Sequence, residues 1–249
     1  PAKHDYRLKK DSPALALGFK PFDASKAGVR GGGAWRAEAD APLPDSTPAP
    51  APPPLSTSEG FEDVAPSAGG YTPDFASLSH GGRPELVAVT EEAAASGRRS
   101  LKIADAAGLK NGFDPHFFYA PHYDKGLASC SFAIRAEPGA VFYHEWRDAS
   151  SPYRIGPSLW VRDGKLFVGD RAVADVPAGA WLRVRVESRL GAGRPTWSLA
   201  VERPGAEPLK LADLPVADGW KSVDWVGFVS PAEHPTAVYL DDLDLNVRP

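Results

Sequence analysis

The 249-residue sequence has no methionine and one cysteine. A single cysteine excludes an internal disulfide and any zinc site built from cysteine pairs. Cys130 lies in the alternating run Ser129-Cys130-Ser131-Phe132-Ala133-Ile134, where a small buried residue is expected. No apolar run is long enough to span a bilayer, and there is no apolar core of a signal peptide. Basic blocks are missing too. The 28 Lys and Arg face 32 Asp and Glu, a net charge of -4, which argues against nucleic acid as the main partner. A Gly-x-Ser-x-Gly elbow and a phosphate-binding loop are both absent. Gly156-Pro157-Ser158-Leu159-Trp160 is no elbow, because Pro157 and Trp160 spoil the tight turn. With Pro1 first and no methionine, the sequence reads as a piece of a longer translated product, so the missing signal peptide does not bear on compartment.

Composition divides what is present into three parts. Residues 1–36 hold apolar residues without a sustained period and are too few to bury them alone. They are expected to be the remnant of an upstream domain. Residues 37–58 are rich in Pro and Ala. Pro42, Pro44, Pro48, Pro50 and Pro52 to Pro54 favour an extended polyproline II spacer. Residues 59–249 carry short alternating runs punctuated by Gly, Pro, Asn and Asp. Cys130, Phe132 and Ile134 share one parity, as do Leu182, Val184 and Val186, and Trp197, Leu199 and Val201. A period of two marks strands buried on one face. Asp163-Gly164 between two such runs is a hairpin signal. Many short strands with no interleaved helices predict an all-β antiparallel sandwich or barrel over 59–249.

Two phrases resemble known families. Asp11-Ser12-Pro13-Ala14-Leu15, with Gly18-Phe19 and Pro21-Phe22-Asp23, resembles the end of secreted right-handed parallel β-helix proteins. The resemblance implies an upstream domain of the same polypeptide and a secreted, extracellular or periplasmic location. The opening Gly60-Phe61-Glu62-Asp63, the stretch Ser96-Gly97-Arg98-Arg99-Ser100-Leu101-Lys102 and the closing Tyr239-Leu240-Asp241-Asp242 resemble jelly-roll domains of the concanavalin A-like and carbohydrate-binding-module type. That resemblance implies a jelly-roll sandwich, frequent structural calcium and frequent glycan binding.

Terminal strands of a sandwich are often neighbours, which would bring Glu62 and Asp63 close to Asp241 and Asp242. Parity breaks at Asp241-Asp242, so a β-bulge is expected there. Clustered carboxylates repel unless a cation neutralises them, so these four are the candidate ligands of a structural Ca²⁺. The alternative is a solvated acidic edge that discourages aggregation.

The candidate binding site is the polar and aromatic stretch from Phe113 to Trp160. Sugar rings offer flat C–H faces to Trp and Tyr, and their hydroxyls pair with Asp, Arg and His. Trp146, Arg147, Asp148 and Tyr153 are the first candidates for contact with a polysaccharide or oligosaccharide, followed by His116, Tyr119 and Tyr123. Phe142, His144 and Trp146 share one parity and Tyr143 and Glu145 the other, and one set must be core. A glycosidase needs two carboxylates flanking the bond it cleaves. Glu145 and Asp148 would point to opposite faces of a regular strand. The expected role is therefore a non-catalytic carbohydrate-binding module. A structural or protein-interaction sandwich is the alternative, and a hydrolase-like enzyme a further one.

Overall fold

The computed structural model describes residues 8–21, 32–34, 37, 51–66, 76–83, 86–191 and 193–249. It contains two compact units, Pro1–Ala51 and Pro52–Pro249. The described part of the first unit includes one helical turn, α1 (Pro13–Ala16), with proline at its start. Residues 42–50, the heart of the expected polyproline spacer, lie outside the described residues. No described helix is long and apolar enough to cross a membrane.

The second unit is an antiparallel sandwich. Its strands are β1 (Thr57–Glu59), β2 (Ala76–Ser79), β3 (Val87–Thr90), β4 (Ser100–Asp105), β5 (His116–Tyr119), β6 (Gly126–Ala136), β7 (Phe142–Arg147) and β8 (Ile155–Arg162). The chain continues through β9 (Lys165–Val168), β10 (Arg171–Asp175), β11 (Trp181–Leu190), β12 (Trp197–Arg203), β13 (Ala206–Leu214), β14 (Trp225–Val229) and β15 (Thr236–Arg248). One sheet runs β13-β12-β11-β6-β15-β4-β3, with β1 also on β15; the other runs β10-β9-β8-β7-β14-β5-β2. Neighbours in each sheet come from distant parts of the sequence, as in a jelly roll.

The alternation seen in the sequence sets the inner faces. Cys130, Phe132 and Ile134 of β6 and Leu182, Val184 and Val186 of β11 point into the core. Phe142 and Trp146 of β7, Leu159 and Val161 of β8, and Val226 and Phe228 of β14 meet them from the other sheet. Asp163 and Gly164 both adopt positive φ, 52° and 66°, which turns β8 into β9 as a tight hairpin. The expected bulge is also present. Pairing of β15 with β6 slips between Asp241 and Asp244, and Asp242 has φ 46°. The slip lets Val238 and Leu240 before it, and Leu243 and Leu245 after it, all enter the core. The first and last strands pair, Thr57 opposite Leu245, so the sheet takes in residues just before Glu59.

Candidate ligand-binding face

His144 fixes which way β7 faces. It is buried with its Nδ1 3.0 Å from the Gly227 carbonyl, and its Nε2 accepts the Trp146 indole N–H at 2.9 Å. The two bonds define the tautomer: the proton sits on Nδ1. The ring packs against Phe132 and Phe228. Burial drives the His144 pKa down to about 3. Phe142, His144 and Trp146 thus belong to the core, and Tyr143, Glu145 and Arg147 belong to the outer face.

Cross-strand pairing extends that outer face. Tyr143 lies opposite Trp160 of β8, and Trp160 opposite Phe167 of β9. Tyr143 and Trp160 stack with centroids 4.4 Å apart. On the other side Gly227 of β14 lies opposite both Glu145 and Phe118. A Cβ on Gly227 would fall 1.8 Å from the Trp225 ring, so the absent side chain is what lets that indole lie flat on the sheet. Trp225 stacks on Phe118 at 5.6 Å, and Phe118 on His116 at 5.6 Å.

Arg147 occupies the middle. Its guanidinium carbon lies 4.1 Å from the Trp225 ring and 4.2 Å from the Tyr153 ring, so it contacts two aromatic rings. Nε bonds Glu145 Oε1 at 2.6 Å, and Ser158 Oγ approaches Glu145 Oε2 at 3.4 Å. Burial works against the Arg147 charge, but the hydrogen bond and charge of Glu145 outweigh it and hold the pKa above its ordinary value. Burial raises the Tyr143 pKa, keeping the phenol protonated. Burial also lowers the His116 pKa, against the Phe113 carbonyl and the Asp114 charge that favour the imidazolium. The face therefore presents rings, a fixed cation and a neutral imidazole. Tyr153 and Phe113 are its half-exposed outer members.

The sequence candidates divide on this geometry. Arg147, Tyr153 and His116 lie on the outer face. Trp146, Tyr119 and Tyr123 need correction as ligand contacts: all three are at most 1% exposed within the core. Tyr123 also donates its hydroxyl to the Leu55 carbonyl. Asp148 is a loop residue. Its Oδ1 accepts the Ser150 and Arg154 N–H groups at 3.1 and 2.8 Å, and its Oδ2 meets Arg154 Nη1 at 3.1 Å. Burial opposes its charge, but these bonds outweigh burial and lower its pKa. Phe118, Glu145 and Trp160 fall inside the stretch from Phe113 to Trp160 but are not among its named contacts, and Trp225 lies outside it. The parity of Ser158, Trp160 and Arg162 against Leu159 and Val161 was the available signal for Trp160.

The four acidic candidates do not fit a calcium ion as arranged. Glu62 Oε1 accepts the Arg98 and Arg99 N–H groups, both at 2.8 Å. Asp241 Oδ2 accepts the Ala95 and Ser96 N–H groups at 2.7 and 3.1 Å, and its Oδ1 accepts the Asp242 N–H at 2.8 Å. Asp242 meets the Ser96 hydroxyl and the Arg183 guanidinium, and Asp63 is exposed. These carboxylates hold the segment from Ala95 to Arg99 through N–H donors, whereas a hard cation needs free oxygens converging on one point. No convergent group of three or more His, Cys, Asp or Glu occurs among the described residues.

No family model matches the chain, and no curated protein matches it. Among solved structures it is similar to the GH131 β-glucanase catalytic domain of Podospora anserina, with a TM-score of 0.50 and 15% identity over 76% of this chain and 94% of that one. It is also similar to TmCBM61, solved with β-1,4-galactotriose, at TM-score 0.37 and 14% identity over 76% and 94%. Peanut lectin, solved with a 9mer peptide, gives 0.42 and 10% over 77% and 96%. At such identities the likeness establishes the fold alone: an all-β jelly-roll sandwich.

Proposed function

We propose that the outer face of the seven-stranded sheet binds a polysaccharide or oligosaccharide, and that the chain is the non-catalytic binding module of a secreted polysaccharide-active protein. The observation that carries this reading is Arg147 held against Trp225 and Tyr153 and bonded to Glu145, beside the Tyr143–Trp160 stack. Flat rings suit the C–H faces of sugars, and an oriented guanidinium and carboxylate suit their hydroxyls. The similar β-glucanase domain is named for action on a glucan, which agrees with a glycan ligand. Its activity is not carried over. Beside Glu145, Asp148 is engaged by its own loop, and Asp114 by Ser79 and Asn111 at 2.5 and 2.9 Å. A hydrolase needs a second carboxylate across the bond it cleaves. The secreted location and the β-helix partner rest on the phrase from Asp11 to Asp23.

The test is affinity electrophoresis of the full chain through gels holding single polysaccharides, with parallel assay of each for released ends. Retardation by one polysaccharide without cleavage supports the reading. Cleavage would make the chain an enzyme. Migration unchanged in every gel would move the reading to a structural sandwich.

A further inference from the structure

The rings of the outer face lie in register across the seven-stranded sheet. Pairing of β5, β14, β7, β8 and β9 puts His116, Val229, Tyr143, Trp160 and Phe167 directly opposite one another. All five point away from the core, since the neighbours Phe117, Phe228, Phe142, Leu159 and Leu166 point into it. Four of the five carry rings, and Val229 adds an apolar side chain between His116 and Tyr143. His116, Trp160 and Phe167 are partly exposed. Four strand spacings separate the two ends of the row, about 19 Å from His116 to Phe167.

Polar groups border the row on both sides. On one side Glu145 and Ser158 form the next row, and Arg147 lies beyond them opposite Trp225. On the other side Arg162 follows Trp160 along β8, and its guanidinium carbon lies 4.4 Å from the Phe167 ring. A sugar has the same layout, with apolar C–H groups on its faces and hydroxyls along its edges. One sugar ring covers one or two positions of the row, so contact with the whole of it takes several sugars joined together.

We propose that the row is a track for an extended run of sugars inside a polysaccharide chain, laid across the strands, and that the chain ends are not recognised. The inference rests on the glycan-binding reading of this face and names the ligand class: long chains rather than single sugars or chain termini. Rings stand at both ends of the row, on β5 and β9, so contact continues past the central Tyr143–Trp160 stack in both directions. Each ring contact is weak by itself. Contacts made by one chain reinforce one another, because the first holds the next sugars near their own rings, and affinity therefore depends on chain length.

The experiment is an amide NMR titration of the ¹⁵N-labelled full chain, following His116, Trp160 and Phe167. The probes are β-1,4-linked oligosaccharides of glucose, mannose, xylose and galactose, from disaccharide to hexasaccharide, and each hexasaccharide with its reducing end converted to the alditol. In at least one series the hexasaccharide should bind about tenfold or more tightly than the disaccharide, and the alditol should bind as the hexasaccharide does. Phe167→Ala and His116→Ala, at the two ends of the row, should each narrow that advantage. Phe167→Leu, which keeps the bulk and removes the ring, should do the same and serves if the alanine variant melts early. Equal affinity for disaccharide and hexasaccharide, or binding lost in the alditol, overturns the track and leaves the glycan-binding reading standing. An undiminished advantage in the folded variants also overturns it. Stillness of these amides with every hexasaccharide, while a gel retards the chain, overturns the track alone. Stillness together with unchanged migration in every gel overturns the track and the reading together.

Discussion

Replacing His144 with phenylalanine should change how the stability of the sandwich responds to acid. The imidazole is neutral in the folded protein, with a pKa near 3 against an ordinary 6.5 once the chain unfolds. The unfolded state therefore takes up a proton that the folded state refuses. Stability from this residue is complete above pH 6.5 and falls as pH drops towards 3. At about pH 4.5, two units below the unfolded value, the loss is about 3 kcal/mol. Phenylalanine suits the space between Phe132 and Phe228, but it deprives the Trp146 indole N–H of its acceptor, costing about 1–3 kcal/mol at neutral pH. Urea unfolding of both proteins across this range isolates the effect, because every other titrating group is common to them. The wild type should be the more stable at neutral pH, and its advantage should vanish or reverse near pH 4.5. Parallel profiles would refute the reasoning.

Other predictions concern named contacts. Gly227→Ala should push the Trp225 ring off the sheet, since the new Cβ would lie 1.8 Å from it; ligand retardation should fall while near-native melting persists. Asp241→Asn should destabilise the sandwich by about 1–3 kcal/mol in urea unfolding, because both oxygens receive backbone N–H groups and the new NH2 must turn a donor towards one of them. Chelator should leave the melting temperature unchanged, since N–H donors already occupy those carboxylates; a clear drop would restore calcium to the account. Cys130, fully buried with its thiol pKa pushed up by burial, should react with a thiol reagent only after unfolding.

The sandwich was legible wherever one face is core and the other is polar. Strands β6, β11 and β12 show that contrast, and the hairpin at Asp163-Gly164 and the bulge at Asp241 follow from short-range signals. Edge strands β10 and β13 were missed because they bury little: β10 shows no alternation, and that of β13 is confined to Leu209-Lys210-Leu211. Strand β5 was missed for the opposite reason. His116-Phe117-Phe118-Tyr119 is aromatic on both faces, because its outer face belongs to the candidate site. The same ambiguity affected β7, where both parities hold aromatic residues, so the choice between Trp146 and the outer set rested on pairing partners. The amides that engage Glu62 and Asp241 belong to the backbone, so an acidic cluster in the sequence looked free to bind a cation.

The most direct test of the aromatic face is calorimetric titration of the retaining polysaccharide into wild type, Trp160→Ala and Trp225→Ala. Both rings are partly exposed and lie outside the core, so both variants should keep the wild-type melting temperature. Loss of a central aromatic contact weakens binding by about tenfold or more, and that is the predicted result for each. Unchanged affinity in both folded variants would contradict the assignment of this face.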